Sequence, residues 1–272
     1  SALKRLISIE RKIDRDPELK RRYTEQMESL VQKGYAEVAP KSISPGRTWY
    51  LPHFDVQNPA KPEKLRIVHD AAAKTKGMSL NDFLLTGPDL LQSLPGVMMR
   101  FRRHAFAVSA DIAEMFMQVK VRPQDRDALR YLWRGHRREG TPEEYRMTSL
   151  IFGAASSPCT AIFAKDWNAK RYTDTHPEAV EAIIHNHYMD DYLDSFRSIE
   201  EAIETSKKVQ HIHGEACFKL CKWVSNIPKI INELESQSNM TEVINLGTKE
   251  EKILGLMWRP STDELRFNLK LA

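Results

Sequence analysis

The stretch His185-Asn186-His187-Tyr188-Met189-Asp190-Asp191-Tyr192-Leu193-Asp194-Ser195-Phe196 decides how the rest of the chain is read. Apolar or aromatic residues stand before its acidic pair (Ile183, Ile184, Tyr188, Met189) and after it (Tyr192, Leu193, Phe196). That is the pattern of two short strands joined at a turn. In one continuous strand Asp190 and Asp191 would point to opposite faces, whereas at a tight turn both can face one solvent-accessible spot. Two carboxylates held so close repel unless a proton or a cation lies between them. Mg²⁺ meets that need with one or two protein carboxylates, taking water and phosphate oxygens at its other positions. A solvated turn also accommodates the dipeptide, so the surrounding chain has to decide.

A third acid comes from Ala105-Phe106-Ala107-Val108-Ser109-Ala110-Asp111, where small and apolar residues alternate and run straight into the carboxylate. Charge at the end of a buried strand is unfavourable unless paired or metal-bound; a helix cap or a surface acid is the competing reading. Asp111 lies 79 residues before Asp190, room enough for intervening elements to bring the two strands side by side.

Farther out, residues 1 to 34 carry apolar stripes at helical spacing (Leu3, Leu6, Ile7; Tyr23, Met27, Leu30, Val31), broken at Asp16-Pro17 and stopped at Gly34. Thr48 to Val56 and Leu65 to Asp70 read as strands around the Pro- and Lys-rich loop 58 to 64, a mobile basic hairpin suited to triphosphate or simply kept soluble by its lysines. Ser79 to Arg103 is helical in pattern, interrupted at Gly87-Pro88 and Pro95-Gly96, with Leu84, Leu85, Leu90, Leu91, Leu94, Val97, Met98 and Phe101 as expected core. Small residues from Gly153 to Ser157 precede a helix from Cys159 to Tyr172 and let something flat approach the backbone. Ser198 and Glu201 fit a capping box, and Gly214 a helix stop. A strand from Phe218 to Val224 follows, then a hairpin of Ile253 to Trp258 with Leu265 to Phe267. Helices alternating with antiparallel strands predict an α+β fold.

The 272 residues are 41% hydrophobic and 29% charged, enough for a sizeable core. No run approaches the roughly 20 apolar residues of a membrane span, so no membrane partner is expected and the protein is expected to be soluble and intracellular. Three cysteines without a CxxC pair support neither a disulfide framework nor a zinc site. The pI near 8.8 comes with clustered positive charge, as at Lys20-Arg21-Arg22 and Arg100/Arg102/Arg103, which suits a polyanionic partner. Ser1 in place of Met, with an end soon after a strand-like Leu265 to Leu269, leads us to expect an excerpt of a longer polypeptide.

Tyr188-Met189-Asp190-Asp191 resembles the Tyr-x-Asp-Asp box of reverse transcriptases, and motifs through most of the chain resemble the BEL/Pao class of LTR retrotransposons. The resemblance rests on Trp49 to His53, Leu65 to Asp70, Ser79 to Asp82, Gly87-Pro88, Ala110-Asp111, Met115-Phe116, Phe152-Gly153, Ser157-Pro158, Lys222 to Asn226 and Leu254-Gly255. It implies the fingers and palm of a right-hand polymerase, with an antiparallel palm sheet backed by helices. The arm would be 1–40, the fingers 41–104 and 124–152, and the palm 105–123 and 153–272, ending at a primer-grip hairpin with no thumb or RNase H.

Carried over by position, Asp111, Asp190 and Asp191 match the catalytic acids, which with the Ile112 backbone would hold two Mg²⁺ ions (Mn²⁺ as the alternative). Phe116 matches the aromatic gate against a 2′-hydroxyl. Arg66, with Lys64 or Lys61, matches the basic residues on triphosphate, and Phe152 and Gly153 the wall of the nucleotide pocket. Lys222 resembles the lysine that protonates leaving pyrophosphate. Tyr188, Met189, Leu256, Met257 and Trp258 would lie along primer and template.

The implied activity is RNA-directed DNA synthesis from dNTPs on a primer-template, as part of a retrotransposon polyprotein in a cytoplasmic particle, with thumb, RNase H and integrase regions elsewhere. His69-Asp70-Ala71-Ala72 departs from the arginine and glutamate of retroviral enzymes at this point, which puts base stacking by that strand in question. A nucleic-acid-binding domain that has lost turnover is the main rival. An RNA-dependent RNA polymerase is disfavoured by Phe116. A two-metal nuclease lacks a motif to position water, His185 and His187 reading as structural.

Overall fold

The computed structural model describes residues 2–42, 46–58, 61–136, 138–235 and 250–267, with backbone alone at 58 and 61–64. In chain order its elements are α1 (Ala2–Ile13), α2 (Pro17–Gln32), β1 (Ala36–Val38), β2 (His53–Asn58), β3 (Lys61–His69), α3 (Leu94–Phe101), β4 (Phe106–Ile112) and α4 (Met115–Gln118). There follow β5 (Arg130–Trp133), β6 (Glu143–Met147), α5 (Ser157–Lys170), α6 (Pro177–His185), β7 (His187–Tyr188), β8 (Asp191–Phe196) and α7 (Ile199–Glu215). The last are β9 (Leu220–Ser225), α8 (Pro228–Glu235), β10 (Glu251–Ile253), β11 (Leu256–Arg259) and β12 (Glu264–Phe267). They gather into two units, Ser1–Pro88 with Phe116–Ala161, and Asp89–Met115 with Ile162–Ala272.

In the first unit Asp16 caps α2 by accepting the N–H groups of Glu18 and Leu19, and Pro17 at the first position needs no partner for a missing N–H. The apolar stripes of α1 and α2 (Leu6, Ile9, Ile13, Tyr23, Met27) pack with Leu51, Ile67, Tyr131, Trp133 and Met147. The sheet order is β1-β6-β5, with β2-β3 as a separate hairpin. Two histidines complete this core: Tyr23 donates its hydroxyl to His53 Nδ1 at 2.5 Å while His53 Nε2–H donates to Leu132 O at 2.9 Å. Burial holds the His53 imidazole down to about 4 and that of His69 to about 3.

The second unit is built on an antiparallel sheet of order β7-β8-β4-β9. Ala107 and Val108 are both wholly buried. Consecutive strand residues point to opposite faces, so both faces of β4 are covered, and α3 packs on β8 while α7 packs on β4, β8 and β9. A three-stranded meander, β10-β11-β12, adds Trp258, whose ring meets Phe101 edge-on at 5.0 Å. The architecture is the α+β arrangement predicted from the alternation of elements.

Four local expectations need correction. From Leu84 to Ser93 the chain is not helical: Pro88 has no N–H to give and biases Gly87 away from the helical region. Leu85, at 88% exposure, is therefore surface rather than core, and Leu91 and Leu94 are likewise exposed. The strand expected from Ile253 to Trp258 breaks at Leu254-Gly255, both at positive φ, which makes them a two-residue hairpin turn between β10 and β11. The basic loop is shorter than expected, since β3 already begins at Lys61. Ser198 caps α7 through the Glu201 N–H, but Glu201 returns its bond to Arg197 N–H rather than to Ser198, and α7 runs one residue past Gly214. Among the described residues no helix is long and apolar enough to cross a membrane.

Candidate active site

Tyr188 pairs with Asp191 across a two-residue loop, so β7 and β8 form a tight hairpin with Met189 and Asp190 at its tip. Met189 has φ +56 while Asp190 does not share the left-handed conformation, the II′ pattern whose first position usually holds glycine. An L side chain there costs about 1–2 kcal/mol, offset by the buried run Tyr192 to Phe196 that anchors β8.

Asp111 lies near the end of β4, directly opposite Asp191 on β8. Opposed residues of neighbouring antiparallel strands share a face, and like charges so placed destabilise the pair. The next amide along β4, Ile112 N–H, donates to Asp190 O at 2.8 Å and holds the hairpin tip to the strand end. Three carboxylates from two chain segments thus lie near one another at one end of the central β8-β4 strand pair. Burial, then the Asp190 charge, then that of Asp111 push the Asp191 carboxyl up to about 7, against the pull of Lys222.

On the other side of β4, Asp111 is opposite Cys221, whose thiol lies 3.4 Å from Asp111 O. The register slips between Ser109 and Asp111, giving β9 an extra residue. Lys222, at φ +54, takes the left-handed conformation in that bulge, and its ammonium donates to Asp111 Oδ2. Burial opposes the lysine's charge, but the bond to Asp111 and nearby negative charge win and hold its pKa above the ordinary value. Cys221 was not among the sequence-predicted site residues; its place beside an acid is set by strand register, which spacing does not reveal.

Could these residues hold a metal? Among the described residues no three acid, histidine or cysteine side chains already converge at metal-ligand spacing. The donor set nevertheless suits a hard cation: the carboxylates carry excess negative charge, and the Lys222 ammonium, paired with Asp111, offsets part of it at Asp191.

Asp194, three residues past Asp191, is a buried structural acid. Its oxygens accept from Tyr192 OH at 3.0 Å and from its neighbour's N–H, Ser195, at 2.8 Å. His187 and His213 face each other, Nε2 to Nε2 at 3.1 Å, in a fully buried pair beneath the hairpin.

The expected nucleotide residues fall in the first unit. Arg66 is exposed on β3, opposite Val56; the side chains of Lys61 and Lys64 lie outside the described residues. Phe116, on α4, is half-buried and meets Phe152 edge-on at 5.0 Å and 84°. Gly153 has φ +95, a left-handed conformation that favours glycine, although a Cβ there would meet its neighbours only at ordinary contact distance, 3.5 Å from His69 O. Of the primer-template candidates, Tyr188, Met189, Leu256 and Met257 are half-buried. Trp258 is wholly buried, its indole N–H on Asp263 Oδ1 at 3.0 Å, and so offers no side-chain surface.

No known family model matches the chain, and no curated protein matches it in sequence. Among solved structures it is similar to the foamy viral protease-reverse transcriptase in complex with an RNA/DNA hybrid, with a TM-score of 0.57 and 16% identity over 90% of this chain and 26% of that one. A second foamy viral complex, with dsDNA, gives a TM-score of 0.57 at 15% identity over 88% of this chain and 40% of the other. A third, also with dsDNA, gives 0.55 at 16% identity over 85% and 32%. The chain therefore spans well under half the length of these proteins, and over that span its fold is the α+β fold of a viral reverse transcriptase.

Proposed function

We propose that this chain carries the nucleotidyl-transfer centre of an RNA-directed DNA polymerase that extends a primer with dNTPs. The observation that carries the reading is the register of Asp111 opposite Asp191, with Asp190 at the adjoining hairpin tip. Two segments thereby bring acids to one end of the β8-β4 pair, the division of ligands that a two-metal transfer requires. The foamy viral neighbours, described as complexes with RNA/DNA hybrid and dsDNA, support a primer-template as partner.

In the reaction the primer 3′-oxygen bonds to the α-phosphorus of a dNTP, the bond to pyrophosphate breaks, and the 3′-hydroxyl proton leaves. Asp111, Asp190, Asp191 and the Ile112 backbone would hold two Mg²⁺ ions, which stabilise the charge developing on the attacking and leaving oxygens. Lys222 keeps its proton above neutral pH and is placed to neutralise Asp111 or to protonate leaving pyrophosphate. In the first unit Arg66 would take triphosphate charge, Phe116 would stand against the sugar, and Phe152 with Gly153 would flank the base.

The motif wording supports a BEL/Pao-type retrotransposon polyprotein as the source, acting in a cytoplasmic particle. The test is Mg²⁺-dependent extension of a primed RNA template with dNTPs. Primer-template binding with no extension at any Mg²⁺ concentration would replace this reading with a binding-only domain.

A further inference from the structure

The segment between β6 and α5 carries two of the residues assigned to the nucleotide, Phe152 and Gly153. Its start is tied to Val119 by the Leu150 N–H and its end to Ser157, while between them one side chain pairs with the backbone of Gly153 and Ala155. Asn81 Nδ2–H donates to Gly153 O at 3.0 Å, and Asn81 Oδ1 accepts from Ala155 N–H at 2.9 Å. A donor and an acceptor in one planar group reproduce the pairing of a peptide unit. A carboxylate of the same shape offers only acceptors.

Asn81 is itself held firmly. It sits in a 3-10 turn, Leu80–Phe83, whose start is closed by a reciprocal Ser79 and Asp82 capping box. Its own N–H donates to Ala71 O at 3.0 Å, and Leu80 beside it is buried. On the far side of the clamp, the peptide after Phe152 fixes where the ring lies, and that ring is the edge-on neighbour of Phe116. A chain of short contacts therefore runs from Asn81 through Gly153 to Phe152 and Phe116, all within the first unit.

We propose that Asn81 is a positioning residue for nucleotide selection: by clamping Gly153 and Ala155 it sets the Phe152 ring, which braces Phe116 against the sugar. The proposal rests on the polymerase reading. Asn81→Ala removes both bonds, whereas Asn81→Asp keeps the acceptor for Ala155 N–H and turns a bare oxygen toward Gly153 O.

In an enzyme that extends primers, both variants are expected to raise the dNTP KM at least fivefold with kcat within about twofold. Both should also lower discrimination against rNTPs at least fivefold. If only the Tm and the active fraction fall, with KM and discrimination at parental values, the positioning role is overturned. Combining Asn81→Ala with Phe116→Val separates the route: no further loss of discrimination beyond Phe116→Val alone is expected, and additive losses would overturn the path through Phe116. Should the parent protein extend no primer, the polymerase reading is what fails. The clamp is then read without nucleotide, by hydrogen exchange at the Ala155 amide. Asn81→Ala is expected to speed that exchange at least tenfold, and unchanged protection would overturn the clamp.

Discussion

Asp111→Asn changes charge at the centre of the acid cluster with almost no change in volume, so its effects on fold and on chemistry can be separated. Asp111 receives the Lys222 ammonium, the two side chains being 25% and 56% exposed. Ion pairs that open to water contribute about 0–1 kcal/mol. Against that loss, the substitution removes a negative charge from beside Asp191. The Asp191 carboxyl titrates near 7 instead of 3.8, with burial the largest cause, Asp190 next and Asp111 third. Three pH units correspond to about 4 kcal/mol for a fully buried group. Partial exposure and third rank leave Asp111 a small share of that, of the size of the ion pair lost.

Gain and loss nearly cancel, so unfolding free energy should stay within about 1 kcal/mol and Tm within about 4 °C for a chain of this size. Extension should meanwhile fall at least ~1,000-fold, about 4 kcal/mol on the barrier. Single-turnover primer extension with Mg²⁺, calorimetry of the same preparation, and a carboxyl ¹³C titration showing Asp191 shifted to lower pH would test all three parts. A folded Asp111→Asn protein with near-parental turnover would refute the acid assignment. Activity lost only in step with a Tm drop beyond about 10 °C would refute the separation of fold from chemistry.

Three further outcomes are expected. Phe116→Val should raise rNTP kcat/KM at least tenfold, about 1.4 kcal/mol of relieved repulsion, with little change for dNTPs; an unchanged dCTP-to-CTP ratio opposite the same template G would make Phe116 a core aromatic only. Arg66→Ala should raise dNTP KM more than it weakens primer-template binding, because a contact kept from ground state to transition state shows in KM; the reverse pattern moves Arg66 to the template. Stability should fall as pH drops from about 6.5 to 4: His53, His69, His187 and His213 refuse protons when folded and outnumber the carboxyls held up by burial, Asp191 and Asp194, so the unfolded chain binds more protons, each proton of excess lowering stability about 1.4 kcal/mol per pH unit. Urea midpoints unchanged between pH 7 and 5 would contradict it.

The acids were legible in the sequence because a carboxylate at the end of a buried strand, or doubled at a turn, creates an electrostatic problem that its neighbours announce. Their register was not. Asp111 faces Asp191 because two strands align over six residue pairs, a long-range pairing that the 80-residue separation leaves open. The bulge that turns Lys222 back toward Asp111 was hidden as well, since Leu220 to Val224 alternates acceptably as a regular strand. Leucines from Leu84 to Leu94 misled for the opposite reason: their spacing is helical, but Pro88 withdraws a backbone donor that apolar spacing cannot replace. At Leu254-Gly255 the glycine marked a turn, and the apolar residues around it concealed the mark. Asn81 stood inside a recognised motif, yet its partners lie 72 and 74 residues away.

Part of what the local rules failed to foresee lies beside the acids. Met189 precedes Asp190, Lys222 binds Asp111, and Glu114 follows Asp111 by three; each is a non-glycine residue held at φ between +51 and +56. Such backbone costs of order 1–3 kcal/mol per residue and persists only where surrounding structure over-determines it. Here the over-determination is visible, because Ala107, Val108, Tyr192 and Leu193 are wholly buried in the strands that carry the acids. The same end of the strand pair holds three mutually repelling carboxylates, one of them titrating near 7. A sheet selected for stability alone would place glycine at the hairpin tip and an amide or hydroxyl opposite Asp191. Strained backbone and repelling charge kept together, on well-buried strands, are departures from local rules of the kind that functional sites show, and they fit the proposed cation-holding role.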